Sequence, residues 1–469
     1  MSSPSLARST LSGAHHTGKP ETVEKPREIP YSKQFFDKDN AASRRAYLTI
    51  FISGCFIIVV ALFGVLSIYW GSAWKTPAGK LEGWVVDFDG GAVGESVVQQ
   101  LTAKPVTAIT WRVLNASGFP EGPTQLGRAV LNQRVWIGMS INEGVTARLR
   151  SSLISPNATY NGSDAVTVYV NEGRSENAYR VYVRPSFEGS LTNISQSFAK
   201  QYAQGLVSTN LTLVLSRSPQ TLTTPIWYTI DNLAPFNLPV ASAVTLVGLI
   251  YELMLIFFVV AVEHAAREGS GLSRNLTLRS LIITRFISSF LVFFVVSAFF
   301  SLLSLAFQVD FSRHYGHVGF FIFWMFNWLE MLATGLALET MITLLGSPYV
   351  PYFMLLWVIV NVSVCSYPIE MLPWIYRYGY GMPFYNVSHA SRTLMFGTKN
   401  MLGLNAAVLI SWTVVSCITL PLVQWYMRRR AIIAARTQKI ENPPTPERVQ
   451  LEGAGISSEG GEVKRVSPV

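Results

Sequence analysis

Charge is scarce in this chain. Only 14% of its 469 residues are Asp, Glu, Lys or Arg, against roughly 25% in an average soluble domain, while 49% are hydrophobic. The apolar residues stand in long blocks rather than periodic stripes, which excludes a soluble enzyme and an intrinsically disordered chain. Cysteine is scarcer still. Cys55, Cys365 and Cys417 all fall inside apolar blocks, so neither a disulfide framework nor a zinc-type spacing exists. The large polar segment between the first two blocks has no cysteine and must be held by packing alone. A nucleotide-binding loop is missing as well: Gly18-Lys19 is followed by Pro20, and no Gly-x-x-x-x-Gly-Lys-Ser/Thr occurs. The net charge of +9 is spread out, with eight Lys/Arg in 1–46, thirteen in 71–236 and eight after Tyr426. No basic patch with interleaved aromatics forms, so nucleic acid is not an expected partner. No nucleophile triad or paired-carboxylate set stands out, so neither catalysis nor a cofactor is expected.

What the chain does have is spans. A transmembrane helix needs about 20 mostly apolar residues, and six blocks meet or approach that: 46–70, 238–262, 281–307, 318–345, 349–365 and 404–425. The fifth is the shortest and holds Pro351 and Asn361. The first follows Arg44-Arg45 after a Ser/Pro/Lys-rich stretch without an apolar core, and reads as a signal anchor rather than a cleavable signal. Orientation comes from Lys/Arg in the short flanks. Arg267, Arg274 and Arg279 lie in the 263–280 loop and Arg428-Arg429-Arg430 close the last span, whereas the 308–317 loop holds only Arg313. Both termini are therefore expected in the cytoplasm, in tails 1–45 and 426–469 whose Pro-, Gly- and Ser-rich text reads as disordered.

Residues 71–237 then form one outward domain. Trp84–Asp89 reads as a buried strand closed by the Gly90-Gly91 turn, followed by a helix from Glu95 to about Leu101. Further strands are expected at 106–114 and 135–141, with a strand pair at 165–170 and 178–183 around Asn171-Glu172-Gly173 and a helix over 196–213. The fold class is thus a polytopic α-helical membrane protein: six transmembrane helices with one large outward α/β domain between the first and second. Five of the eight Asn-x-Ser/Thr sequons lie in that domain, at Asn115, Asn157, Asn161, Asn193 and Asn210, which suits a glycosylated outward face.

An ionisable residue inside a span is costly and marks a candidate site. By helical rise, Arg285 and Glu339 stand about 6 and 9 Å above the same cytoplasmic surface on consecutive helices, a candidate intramembrane ion pair whose plain role is glue between neighbours. Glu252 and Glu330 lie about 18–21 Å from the outer ends of their helices, near the midplane, with no basic residue at that depth. Asn327 shares the face of Glu330. A buried carboxylic acid without a cation keeps its proton, so these three residues either line a transport path or hydrogen-bond across the bundle as neutral groups. The segment 366–403, with Pro368, Pro373, Pro383, five Tyr/Trp between Trp374 and Tyr385, and Arg377 and Arg392, reads as a re-entrant or interfacial piece. His314-x-x-His317 has helical metal spacing but lacks a third ligand beyond Asp310, so no metal is expected.

The layout of one span, a large outward domain and five more spans resembles the membrane subunits of ABC-type exporters and the phage-infection-protein family. The run Trp84-Val85-Val86-Asp87-Phe88-Asp89-Gly90-Gly91 is similar to the opening of their outward domains, and Tyr367-Pro368-Ile369-Glu370-Met371-Leu372-Pro373 resembles the stretch before their last span. A closer resemblance is to the fungal membrane-protein family named after nitrosoguanidine resistance. It rests on Ile68-Tyr69-Trp70-Gly71-Ser72-Ala73-Trp74, on Asp87-x-Asp89-Gly90-Gly91 and on Met382-Pro383-Phe384-Tyr385-Asn386, and covers about residues 31–435. That resemblance implies a multi-pass plasma-membrane protein, with an endomembrane as the alternative, linked to drug or stress tolerance. It supplies no catalytic residues. The expected function is permease-like: export or redistribution of hydrophobic or amphipathic compounds or lipids, with the bilayer and such molecules as partners and a homodimer by exporter analogy. The alternative is a non-transporting membrane organiser whose outward domain binds a partner or lipid.

Overall fold

The computed structural model describes residues 34–103, 108–206 and 211–441. The chain folds as two compact units, with the boundary between Val60 and Ala61. In the first unit a short turn, Lys38–Asn40, leads into α1, Ala41–Ala61, and Arg44 Nη1 donates to the Phe35 carbonyl at 2.9 Å. Residues 41–45 are therefore helical rather than part of a disordered tail, because Ala41-Ala42 and the following Ser and Arg residues carry no helix breaker.

The second unit opens with a wide π turn, Leu62–Leu66, and α2, Ser67–Ala73. An α/β domain follows. Its elements are β1 Leu81–Asp87, α3 Ala92–Ala103, β2 Ile109–Leu114, α4 Pro123–Leu131, β3 Ile137–Ile141, α5 Val145–Ile154, β4 Val166–Val170, α6 Arg184–Gln204, α7 Leu211–Arg217 and β5 Tyr228–Asn232. The sheet order is β2-β1-β3-β4-β5. β1 runs parallel to both β2 and β3 (Val85 beside Val113 and Met139), β4 runs antiparallel to β3 (Val168 beside Met139), and β5 runs parallel to β4 (Ile230 beside Val168). All five residues of β3 are buried, as a central strand covered on both faces requires, while β5 alternates between half-buried and exposed at an edge.

The expected strand at 178–183 is helical instead. Tyr179–Val183 forms a wide π turn that continues into α6. Its Tyr-Arg-Val-Tyr-Val text alternates, but Tyr179, Val183, Phe187 and Leu191 recur every four residues and are buried in the domain core, so burial on one helical face overrides strand propensity. β4 pairs instead with β5. The helix expected over 196–213 begins earlier, at Arg184, and α7 follows separately.

A helical bundle completes the unit: α8 Gly248–Gly269, α9 Leu278–Ala306, α10 Val318–Leu345, α11 Val350–Val362, α12 Pro383–Phe396 and α13 Leu402–Glu441. Among the described residues five helical stretches are long and apolar enough to cross a membrane: Lys38–Ala73, Ala243–Gly269, Leu278–Ala306, Val318–Leu345 and Leu402–Thr437. α10 is the hub, apolar around its circumference and packed against α8, α9, α12 and α13. A Cβ at Gly335 would run into the Phe293 ring and come within 3.0 Å of Ile256, so glycine there lets α8, α9 and α10 close on one another.

The fifth apolar block is helical only over the 13 residues of α11, about 20 Å by rise and short of the roughly 30 Å hydrocarbon core. Pro351 sits in its first turn and the helix opens beyond Val362. Its far end nonetheless reaches the α/β domain: Asn177 Nδ2 donates to the Ser366 carbonyl at 3.0 Å. α13 runs the opposite way. Asn400, just before it, donates to the Tyr315 hydroxyl at 2.6 Å, and Arg428 Nη2 donates to the Leu276 carbonyl at 2.8 Å. α13 also continues beyond Trp425 through the three arginines to Glu441, because Arg, Ile and Ala there are good or tolerated helix residues. The remainder of both expected disordered tails lies outside the described residues.

Candidate functional site

α8 and α10 each bring one glutamate to the middle of the bundle. Glu252 and Glu330 are both 0% exposed, and their carboxyl groups are close neighbours. No hydrogen-bond partner reaches any of the four carboxyl oxygens among the described residues. Leu249, Leu253 and Ile256 of α8 and Phe326, Met331 and Ala333 of α10 form part of the apolar cluster around them. One turn before Glu330, Asn327 donates from Nδ2 to Ser301 Oγ of α9 at 2.8 Å, while its Oδ1 has no hydrogen-bond partner. The spacing of three places Asn327 and Glu330 on adjoining faces of α10.

A second polar cluster lies further along the same helices. Arg285 of α9 pairs with Glu339 of α10, and also donates to Thr343 Oγ1 at 2.8 Å, to the Glu339 carbonyl at 2.9 Å and to Gln424 Oε1 of α13 at 2.5 Å. Arg267 of α8 reaches Glu339 at 3.0 Å and Glu263 at 3.6 Å, and Ser289 donates to Glu263 at 3.0 Å. Two arginines stand among two glutamates, and four helices are stitched through the cluster. Glu263 and Arg267 escape the sequence reading of the bundle because the second span is drawn to end at Val262, just before Glu263, and Gln424, inside the sixth span, escapes it because it is uncharged. α8 runs on to Gly269, and the i,i+4 spacing of Glu263 and Arg267 is the signal that finds them.

A third cluster joins the α/β domain to α12. Arg392 Nη1 lies 2.6 Å from Glu176 and donates to the Gly173 carbonyl at 3.1 Å. Arg174 stacks 3.5 Å over the Trp136 ring and pairs with Glu370 at 3.2 Å. These arginines border a cavity of about 50 Å³ that Tyr385 and His389 also line. Burial pushes the Arg174 guanidinium down to about 10, against the pull of Glu370. Burial would raise the Glu176 carboxyl, but the adjacent Arg392 charge and hydrogen bond leave it below its ordinary value. α12 itself is mostly buried, whereas Trp374 and Ile375 before it are exposed.

Among the sequons, Asn115, Asn157, Asn161 and Asn193 are exposed on the α/β domain, and Asn210 lies outside the described residues. His314 and His317 are exposed, and no group of three or more metal-ligating acidic, His or Cys side chains forms among the described residues.

Residues 54–418 match the model of a family described as "Protein of unknown function (DUF3533)". The chain is also similar, at 26% identity over 462 residues, to a Saccharomyces cerevisiae protein named "Uncharacterized endoplasmic reticulum membrane protein YJR015W", with 89% of this chain and 88% of that protein covered. No solved structure matches. The spans and the relative's printed location agree on a membrane protein.

Proposed function

The chain belongs to the DUF3533 family, and we propose that it is a non-enzymatic, permease-like membrane protein that exports or redistributes hydrophobic or amphipathic compounds or lipids. The observation that carries this reading is the Glu252–Glu330 pair. Two acid groups close together at 0% exposure, with no cationic side chain in contact among the described residues, cost stability in a purely structural bundle, and intramembrane carboxyls that change charge are how helical transporters couple to an ion gradient. The tie between the α/β domain and α12 supports a coupled movement, since Arg392–Glu176 would transmit a shift of the buried helix to the domain.

In this reading the chain crosses six times, with α11 and the turns after it serving as the short fifth passage, both termini cytoplasmic and the α/β domain on the far side. The contacts of Arg428 with Leu276 and of Ser366 with Asn177 suit that path. The resemblance to the nitrosoguanidine-resistance family supplies the expected phenotype, drug or stress tolerance, and exporter analogy supplies the homodimer. The yeast relative's printed name favours the endoplasmic reticulum over the plasma membrane.

The test is efflux of a labelled amphipathic compound from cells with and without this protein, in the presence and absence of a protonophore. Protein-dependent efflux that collapses with the gradient is expected. Glu252→Gln and Glu330→Gln should abolish it at unchanged protein abundance. Unchanged tolerance in both single variants, together with loss of tolerance when residues 71–237 are replaced, would instead favour a membrane organiser acting through the α/β domain.

A further inference from the structure

Between α11 and α12 the chain makes two tight 3-10 turns, Ile369–Met371 and Trp374–Gly381. Their side chains divide by exposure. Met371, Leu372 and Tyr376 are buried, while Trp374 and Ile375 are 75% and 68% exposed. The end of α2 has the same character: Trp70 and Trp74 are exposed, and Lys75 Nζ stands 4.6 Å over the Trp74 ring. The two pieces are tied together. The Tyr376 hydroxyl donates to the Ile68 carbonyl at 2.7 Å, and the Ala78 N–H donates to the Met371 carbonyl at 2.8 Å. Exposed tryptophans beside a lysine at the end of an apolar span suit a membrane–water interface, and the six-span reading puts both pieces at its outward face.

Unlike a plain aromatic belt, this stretch lines a groove of about 550 Å³, within the roughly 300–1,000 Å³ of small-ligand sites. A Cβ at Gly79 would run into the Glu370 carbonyl, so one wall is backbone laid on backbone. Glu370, Trp374, Arg377 and Tyr380 bring the chemistry to the lining. Glu370 Oε1 accepts from Arg174 at 3.2 Å, and its side chain is still 45% exposed, with Oε2 left without a hydrogen-bond partner among the described residues. Arg377 is exposed and makes no ion pair or side-chain hydrogen bond among the described residues. Burial raises the Tyr380 hydroxyl, Glu370 raises it further and Arg377 lowers it, so acid, base and phenol stand in one neighbourhood. An unpaired guanidinium binds phosphate by charge-assisted hydrogen bonds, and aromatic rings beside a carboxylate bind an ammonium group. The groove is thus the complement of a ligand that carries both charges, whereas a purely anionic headgroup would be repelled by Glu370.

We propose that this groove binds the headgroup of a zwitterionic phospholipid from the outward leaflet, with the phosphate on Arg377 and the amine among Glu370, Trp374 and Tyr380. The inference rests on the six-span reading for the groove's place at the membrane, and it deepens the permease reading by naming the class of lipid that the protein handles.

The experiment uses the full-length chain purified in detergent and probed with radiolabelled dioleoylphosphatidylcholine. Unlabelled phosphatidylcholine, phosphatidylglycerol and soluble phosphocholine serve as competitors. Phosphatidylcholine should compete about tenfold better than phosphatidylglycerol, the scale of one charged contact. Arg377→Gln should weaken binding of the probe about tenfold, and Trp374→Ser about fivefold. Ile375→Ser, at an equally exposed neighbour outside the groove lining, should leave it unchanged. Glu370→Gln should narrow the preference between the two lipids. Because Glu370 also holds Arg174, the contrast among Arg377, Trp374 and Ile375 decides the matter if that variant fails to fold, with thermal unfolding in the absence of lipid as the check on each. Equal competition by the two lipids, or binding that survives Arg377→Gln, would overturn the site. Equal losses in Trp374→Ser and Ile375→Ser would overturn it too, by reducing it to an interfacial belt. Displacement by phosphocholine as effective as by the lipid would overturn the lipid assignment. Headgroup-selective binding without gradient-dependent lipid redistribution would spare the site and overturn the permease reading; redistribution without headgroup preference would do the reverse.

Discussion

At the scale of single residues, the buried charges divide into those that hold the molecule together and those that do not. Arg285 and Glu339 belong to the first kind, at 3% and 1% side-chain exposure. Removing one partner of such a pair leaves the other buried and unanswered, which costs about 3–5 kcal/mol. Glu339→Gln should therefore lower thermal stability in detergent sharply, and Arg285→Met combined with Glu339→Leu should recover much of the loss; a double variant as unstable as the single one would contradict the ion-pair account. Glu176 yields a pH prediction. Its folded value lies below the ordinary 4.5, with Arg392 holding it down. Its contribution is thus fully present above the unfolded value and is lost as pH falls through the folded one. Glu176→Gln should flatten the stability profile below about pH 4.5 while costing stability at neutral pH, and an unchanged acid limb would show that the contact with Arg392 contributes nothing. The depth argument that puts Arg285 and Glu339 at one level needs only helical rise, which is why that contact is legible in sequence. Arg267 is not, because a span boundary drawn at the first charged residue assigns it to a loop.

At the scale of elements, legibility follows how much of the signal is local. The long apolar helices can be read because one span needs only its own text, β3 because a strand buried on both faces is mostly apolar, and β1 because its buried Val85-Val86 run ends at the Gly90-Gly91 turn. The strand pair at 165–170 and 178–183 cannot be read correctly. Whether Tyr179–Val183 extends or winds depends on Phe187 and Leu191 joining it in a core built from distant strands, and β5 is a short edge strand more than fifty residues from its partner β4. The close approach of three helices at Gly335 carries its own prediction. Gly335→Leu places a side chain against Phe293 and Ile256, and overpacking of this kind costs about 1–3 kcal/mol or more. The variant should express poorly and unfold early, whereas Gly189→Leu, where a Cβ meets nothing within 4 Å, should behave like wild type in the same thermal assay.

At the scale of the whole molecule, the account rests on an α/β domain tied to a helical bundle in which two buried acids have no basic partner among the described residues. Topology has an independent check. In a microsomal glycosylation assay, glycans at Asn157 and Asn193 should appear and disappear with removal of those sequons, and a tag after residue 441 should be open to protease from the cytoplasmic side. A glycan-free α/β domain with a protected C-terminal tag would invert the reading. The carboxyl pair itself could be found in sequence only as two midplane residues without a cation at their depth. That the two carboxyl groups of α8 and α10 are neighbours, and that the Asn327 amide is tied to Ser301 of α9, depends on helix rotation and packing, which composition does not encode.

The most direct measurement is transport in proteoliposomes containing only this protein, with a fluorescent amphipathic lipid as cargo and an imposed cation or proton gradient across the membrane. The account predicts gradient-dependent redistribution by the wild-type chain and none by folded Glu252→Gln or Glu330→Gln protein. Redistribution that proceeds equally in all three, or in none under any gradient, would contradict it.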